Sequence, residues 1–172
     1  CSFPTVVGPN LTRAASADAS RPSMDGFIAR VKADGSSLDY AGFIGGDGYF
    51  DVGHAIAVDA SGSAYVAGAT DSVTGLPAAP GFRSIPSGDA SDGFVARISA
   101  SGAAVDRFTL LTGTLSGNQS GADRALAIAL DTDGTVIVAG ETDSSDFPLN
   151  STGSRDGGPG LQASPQGGMD GF

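Results

Sequence analysis

The sequence predicts an all-β chain built from repeated antiparallel sheet units. Three observations carry this: a turn-rich composition poor in charge, strand signals of period two separated by Gly-containing turns, and sequence blocks that recur in a fixed order along the chain. Gly (27) and Pro (9) make up about a fifth of the 172 residues, and charged residues are 16% where a typical domain has roughly 25%. Abundant Gly beside Val, Ile, Ala and Phe favours short strands joined by many turns.

The recurrence sets the organisation, as internal repeats do in any chain that has them. Asp25-Gly26-Phe27-Ile28-Ala29-Arg30-Val31 returns as Asp92-Gly93-Phe94-Val95-Ala96-Arg97-Ile98, and Met169-Asp170-Gly171-Phe172 begins it again. Ala55-Ile56-Ala57-Val58-Asp59 through Gly62 returns as Ala127-Ile128-Ala129-Leu130-Asp131 through Gly134. A Phe/Leu-Pro pair stands at Phe3-Pro4, Leu76-Pro77 and Phe147-Pro148. The three markers agree in phase. They divide the chain into residues 1–24, expected as the tail of a preceding repeat, repeat 1 over 25–91, repeat 2 over 92–169, and 170–172 as the start of a following one. The expectation is a segment of a longer repeat array.

Each repeat carries four strand signals. In the first, Phe27–Lys32 and Leu38–Ile44 flank the turn at Ala33-Asp34-Gly35-Ser36, and Ala55–Asp59 and Ala64–Ala69 flank Ala60-Ser61-Gly62-Ser63. In the second, Phe94–Ser99 and Val105–Leu111 flank Ala100-Ser101-Gly102, and Ala127–Asp131 and Thr135–Gly140 flank Thr132-Asp133-Gly134. The Ala-rich strands alternate small with branched residues and have no polar face, so burial on both faces is expected. A four-stranded unit with two apolar faces needs like neighbours to cover them. Radial stacking gives a β-propeller, whose narrow centre suits small side chains; a solenoid coil of this length would be unusual. The Gly/Pro/Ser/Asp-rich segments 71–91 and 143–169 are expected as surface insertions.

These blocks resemble the bacterial SBBP β-propeller repeat family. The resemblance rests on Asp25-Gly26-Phe27-Ile28-Ala29-Arg30, Ile44-Gly45-Gly46, the run from Ala55 to Gly68, and Asp146-Phe147-Pro148. It implies multi-bladed propellers of four-stranded antiparallel sheets in large secreted or surface-bound bacterial proteins, with no fixed catalytic residues to carry over. It also implies that the Ala-rich strand is innermost, so that residues 54–113 form one complete blade, 25–46 the outer half of the one before, and 126–172 the inner half and first outer residues of the next. The long Pro/Gly insertions and Thr112–Gly121 depart from the family pattern.

Net charge is −10 and no Lys/Arg cluster exists, which argues against a nucleic-acid partner. No apolar run approaches the ~18 residues of a membrane helix. Cys1 is the only cysteine, so an intrachain disulfide is excluded. A Cys-Ser start is compatible with a lipidated bacterial terminus, although Cys1 falls inside a repeat.

Candidate chemistry is sparse. Asp131 and Asp133 resemble half of a Ca2+ loop, but a full loop needs about six oxygens and the next alternate positions are Thr135 and Ile137; the competing reading is a hairpin turn. Asp47, Asp51 and Asp123 precede the Ala-rich strands, where a ring of carboxylates could bind a cation or cap backbone amides. Tyr49 and Phe50 in the same linker are candidates for stacking on a sugar or anchoring a protein, or for filling the gap between blades. His54 is the only histidine and Leu126 takes its place in the other copy. No G-x-S-x-G or phosphate-loop pattern occurs.

The reading is therefore a non-enzymatic propeller segment, extracellular or on the cell surface. It acts as a scaffold or binding module for proteins, glycans or copies of itself, without a required cofactor. Two alternatives are kept: a subunit of an extracellular filament completed by neighbouring chains, and part of a propeller enzyme whose catalytic residues lie elsewhere.

Overall fold

The computed structural model describes residues 3–16, 20, 22–81, 86, 91–113, 121–145, 147 and 170–171. The Cys1 terminus, most of segment 143–169 and most of the 112–121 linker lie outside them. Among the described residues the regular structure is all strand, in three antiparallel sheets. The first holds β1 (Gly26–Val31) and β2 (Leu38–Ile44). The central sheet runs in chain order through β3 (Asp51–Val58), β4 (Ala64–Thr70), β5 (Asp92–Ile98) and β6 (Val105–Leu111). The third holds β7 (Asp123–Leu130), β8 (Val136–Thr142) and β9 (Asp170–Gly171). The four-stranded sheet spans nearly the residues expected for one complete unit.

The copies match down to their irregularities. The β1–β2 ladder slips between Arg30 and Val31, and the β5–β6 ladder between Arg97 and Ile98. The β3–β4 ladder slips between Gly53 and Ala55, and β7–β8 between Ala125 and Ala127, so His54 and Leu126 are the equivalent bulged residues. The tight turns use glycines at positive φ, Gly35 and Gly102 in one pair and Gly62 and Gly134 in the other. Only a residue without Cβ adopts that conformation at little cost.

The Ala-rich strands begin earlier than the sequence pattern suggests, at Asp51 and Asp123 rather than at Ala55 and Ala127. Asp51, Gly53 and His54 look like loop residues, and the bulge interrupts the alternation that marks a strand.

The first and central sheets share one apolar core. Ile28, Tyr40 and Ile44 from the first pack with Val66, Phe94, Ile98, Phe108 and Leu110 from the central sheet. The Phe94 and Phe108 rings stack at 5.6 Å. On the opposite face of the central sheet, Ala67 and Ala69 are fully buried where β4 meets β7, small residues allowing close approach.

The expected burial of both faces fails for the Ala-rich strands β3 and β7, most of whose residues are half-buried or exposed, and is found instead on β4 and β5 in the middle of the central sheet. Phe94 and Ile98 are 1% and 0% exposed, whereas their equivalents Phe27 and Val31 on β1 are 61% and 57% exposed. Ile56 and Val58 on β3 are exposed, as are Leu126 on β7 and Ile137 on β8. The reason is geometric: the first sheet has two strands, so the part of β3 that faces it lacks a covering pair, and no described sheet lies beyond β1 or β8.

Part of segment 71–91 is not a free insertion. Residues 76–81 run along the outer edge of the central sheet, where the Phe108 amide donates to the Pro80 carbonyl at 3.2 Å. Residues 3–10 do the same for the first sheet: the Ala41 amide donates to the Val6 and Val7 carbonyls, and the Phe43 amide donates to Asn10 O at 2.7 Å. A Cβ at Gly8 or Gly81 would run into the Ala41 or Phe108 carbonyl respectively, so both glycines permit close approach to the edge strand. An edge covered in this way cannot template pairing with another chain.

Candidate functional site

The candidate residues gather where one sheet hands over to the next. At each junction a strand entry bonds to the entry of the following sheet. The Asp51 amide donates to Met24 O at 2.6 Å, and the Asp123 amide donates to Ser91 O at 2.9 Å. The parallel bridges Met24–Phe50 and Ser91–Ala122 are the same contact in successive copies.

Asp51 and Asp123 occupy the first positions of β3 and β7 and are 1% and 0% exposed. Neither is an accessible binding-loop residue. The structure places them in the alternative role, capping amides inside a hydroxyl cage. Thr70 Oγ1 donates to Asp51 Oδ1, Ser72 Oγ donates at 3.0 Å and the Gly46 amide at 3.0 Å to Oδ2. Around Asp123 the donors are Thr142 Oγ1, Ser144 Oγ at 2.9 Å and the Gly113 amide at 2.9 Å. Each donor has its counterpart one repeat away. Burial raises both carboxyls above their ordinary value, the three hydrogen bonds pull against it, and a neighbouring aspartate, Asp25 or Asp92, adds to the rise.

That neighbouring aspartate is where the copies differ. Thr112 Oγ1 donates to Asp92 Oδ1. Gly45 stands at the equivalent place in the first repeat, and Asp25 Oδ1 is buried there without a hydrogen-bond partner. Asp25 Oδ2 accepts the Ala14 amide at 2.8 Å. Desolvation raises the Asp25 carboxyl, against that bond and the nearby Arg13 charge.

The linker before β3 is tied to the loop after β4. Asp47 accepts the Thr74 amide at 2.8 Å, the Thr74 hydroxyl at 2.7 Å and the Val73 amide at 3.2 Å. Desolvation alone would raise the Asp47 carboxyl, but these bonds together outweigh it and hold it below its ordinary value. Phe50 is half-buried and its amide donates to Asp71 Oδ1 at 2.9 Å. Tyr49 is exposed at 42%. Of the five linker candidates, Tyr49 alone is exposed.

His54 Nδ1 lies 3.0 Å from Ala125 O on β7. A carbonyl only accepts, so Nδ1 carries the proton, and the bulged histidine fastens the central sheet to the third.

Asp131 and Asp133 lie in the exposed β7–β8 turn and bind that turn's own donors. Asp131 accepts the Thr132 amide at 2.6 Å and Asp133 the Thr135 amide at 2.8 Å. The arrangement is that of a hairpin turn. Among the described residues no group of three or more His, Cys, Asp or Glu is placed to share a metal ion.

Sequence reasoning missed Thr70, Ser72, Thr142 and Ser144. The signal that could have found them is the Thr-Asp-Ser run, which stands at Thr70-Asp71-Ser72 and again, in phase with the Ala-rich block, at Thr142-Asp143-Ser144. It also missed Arg97, which donates to Tyr65 Oη at 2.9 Å, Asp106 Oδ2 at 2.8 Å and Ser63 Oγ at 3.0 Å and so ties together the far end of the central sheet. Among the described residues no helix is long and apolar enough to cross a membrane. Comparison with protein-family models, with curated proteins and with solved structures found no match.

Proposed function

We propose that the three sheets are successive blades of an SBBP-like β-propeller, and that the protein is a non-enzymatic scaffold or binding module acting outside the cell. The observation that carries this reading is the contrast between Phe94 and Ile98, buried on β5 of the central sheet, and their equivalents Phe27 and Val31, left bare on β1. Burying Phe27 and Val31 as Phe94 and Ile98 are buried is worth roughly 1.5–3 kcal/mol for each side chain. Further copies of the repeat supply the matching surface, because the interior junctions are made of such copies.

The hydrogen-bonded junctions favour a rigid frame over a reactive centre. The carboxylates at the strand entries hold amides and hydroxyls, and the linker bearing Tyr49 offers an exposed aromatic to partners. Protein and glycan surfaces are the partners that an exposed aromatic beside acidic residues suits. The bare faces also support a second reading, in which neighbouring chains cover them and build an assembly.

Electron microscopy of the protein tests the architecture. Discs with radial blades around a channel are expected; straight rods would overturn the propeller. Protease treatment of intact cells tests location, with cleavage in the Gly/Pro-rich segments expected.

A further inference from the structure

We propose that Asn10 is an acceptor for an asparagine-linked glycan. Every asparagine of the chain stands two positions before a hydroxyl residue: Asn10-Leu11-Thr12, Asn118-Gln119-Ser120 and Asn150-Ser151-Thr152, with no proline between. Ser and Thr together fill under a fifth of the chain, so this placement of every asparagine exceeds what composition alone would give. Asn118 and Asn150 lie outside the described residues; Asn10 is the one whose geometry is defined.

That geometry suits transfer to the side chain. Asn10 ends the segment that covers the β2 edge, and its backbone is anchored, Asn10 O accepting the Phe43 amide at 2.7 Å. The side chain is exposed, as are Leu11 and Thr12. The Thr12 amide donates to Asn10 Oδ1 at 3.2 Å, a turn that engages the carbonyl end of the carboxamide and brings the hydroxyl-bearing residue back beside it. The chain therefore offers a fixed backbone, an outward carboxamide and the hydroxyl residue in one turn.

The glycosyl donor is an oligosaccharide linked through diphosphate to a lipid. Asn10 Nδ2 attacks the anomeric carbon and forms the N–C bond. The bond from that carbon to the diphosphate oxygen breaks, the diphosphate leaves with the electron pair, and the amide proton is lost to solvent; nothing is oxidised or reduced. A glycan here would stand over the outer edge of the first sheet and add a solvated cover to it.

The full chain is produced behind a secretory leader in a host with the transfer machinery, so that it meets the transferase whatever its natural location. Glycopeptide mass spectrometry then reads Asn10. The expected result is glycan on most molecules at Asn10, lost in Asn10→Gln and in Thr12→Ala and retained in Thr12→Ser, with unchanged circular dichroism in all three. An unmodified Asn10 in the secreted, folded chain overturns the proposal, whether or not Asn118 or Asn150 is occupied, and leaves the propeller reading untouched.

Discussion

Phe27 and Phe94 occupy the same position in successive repeats and differ in what lies over them: Phe94 is 1% exposed beneath the first sheet, and Phe27 is 61% exposed with no described sheet before it. Phe27 still touches an aromatic neighbour, the Phe3 ring at 4.9 Å.

The pair gives a direct comparison of one side chain in two settings. Phe94→Ala opens a cavity in the shared core and is expected to cost about 3–5 kcal/mol. Phe27→Ala removes mostly solvated surface and is expected to cost under about 1 kcal/mol. Urea denaturation of both variants checks this; equal losses would mean that the two sheets do not share the assigned faces.

Removing a caged carboxylate strands its donors. Asp51→Ala leaves the Gly46 amide and the Thr70 and Ser72 hydroxyls without their buried acceptor, and is expected to cost about 2–4 kcal/mol. Asp51→Asn keeps one acceptor oxygen and is expected to cost less. The same substitutions at Asp123 are expected to rank in the same order by thermal denaturation.

The cages also make stability depend on pH. Asp51 and Asp123 have folded values raised above 3.8, so the folded chain binds these protons more tightly than the unfolded chain. Their contribution is complete below that value and is lost as pH rises through the raised folded values. Asp47 is lowered, so its contribution is present above 3.8 and is lost only as pH falls below it. The unfolding free energy contributed by the cages therefore declines as pH rises above 3.8 and through the raised folded values. Asp51→Asn is expected to flatten that decline, measured by urea denaturation across the range. An identical slope in the variant would remove Asp51 as its source.

Gly81 lets residues 76–81 lie against β6. Gly81→Val would drive its side chain into the Phe108 carbonyl, and a cost of about 1–3 kcal/mol is expected for the forced displacement. Hydrogen exchange at the Phe108 amide, which Pro80 O now accepts, is expected to speed up. Unchanged protection there would show that the edge does not depend on this segment.

Much of the fold was legible because period and turn chemistry act locally. Gly35, Gly62, Gly102 and Gly134 mark hairpins in the sequence and adopt positive φ in the structure, and the strands between them alternate as their side chains require. The starts of the Ala-rich strands were not legible, since the bulges at His54 and Leu126 break the alternation, and Asp51 and Asp123 look like solvent residues unless their buried donors are known. Those donors come from the ends of β4 and β8, from Ser72 and Ser144 just beyond them, and from the linkers at Gly46 and Gly113, so only the folded register brings them together. The bare faces were not legible either: nothing local in Phe27-Ile28-Ala29 tells which face a neighbour covers.

These sheets carry apolar surface on two sides and so associate with like neighbours. Sedimentation velocity over a range of concentrations tests this association on the native chain beside a Phe27→Lys, Ile137→Lys double variant. Concentration-dependent association of the native chain, abolished in the variant, is the expected result. A well-folded native chain that stays monomeric throughout would contradict the need for like neighbours.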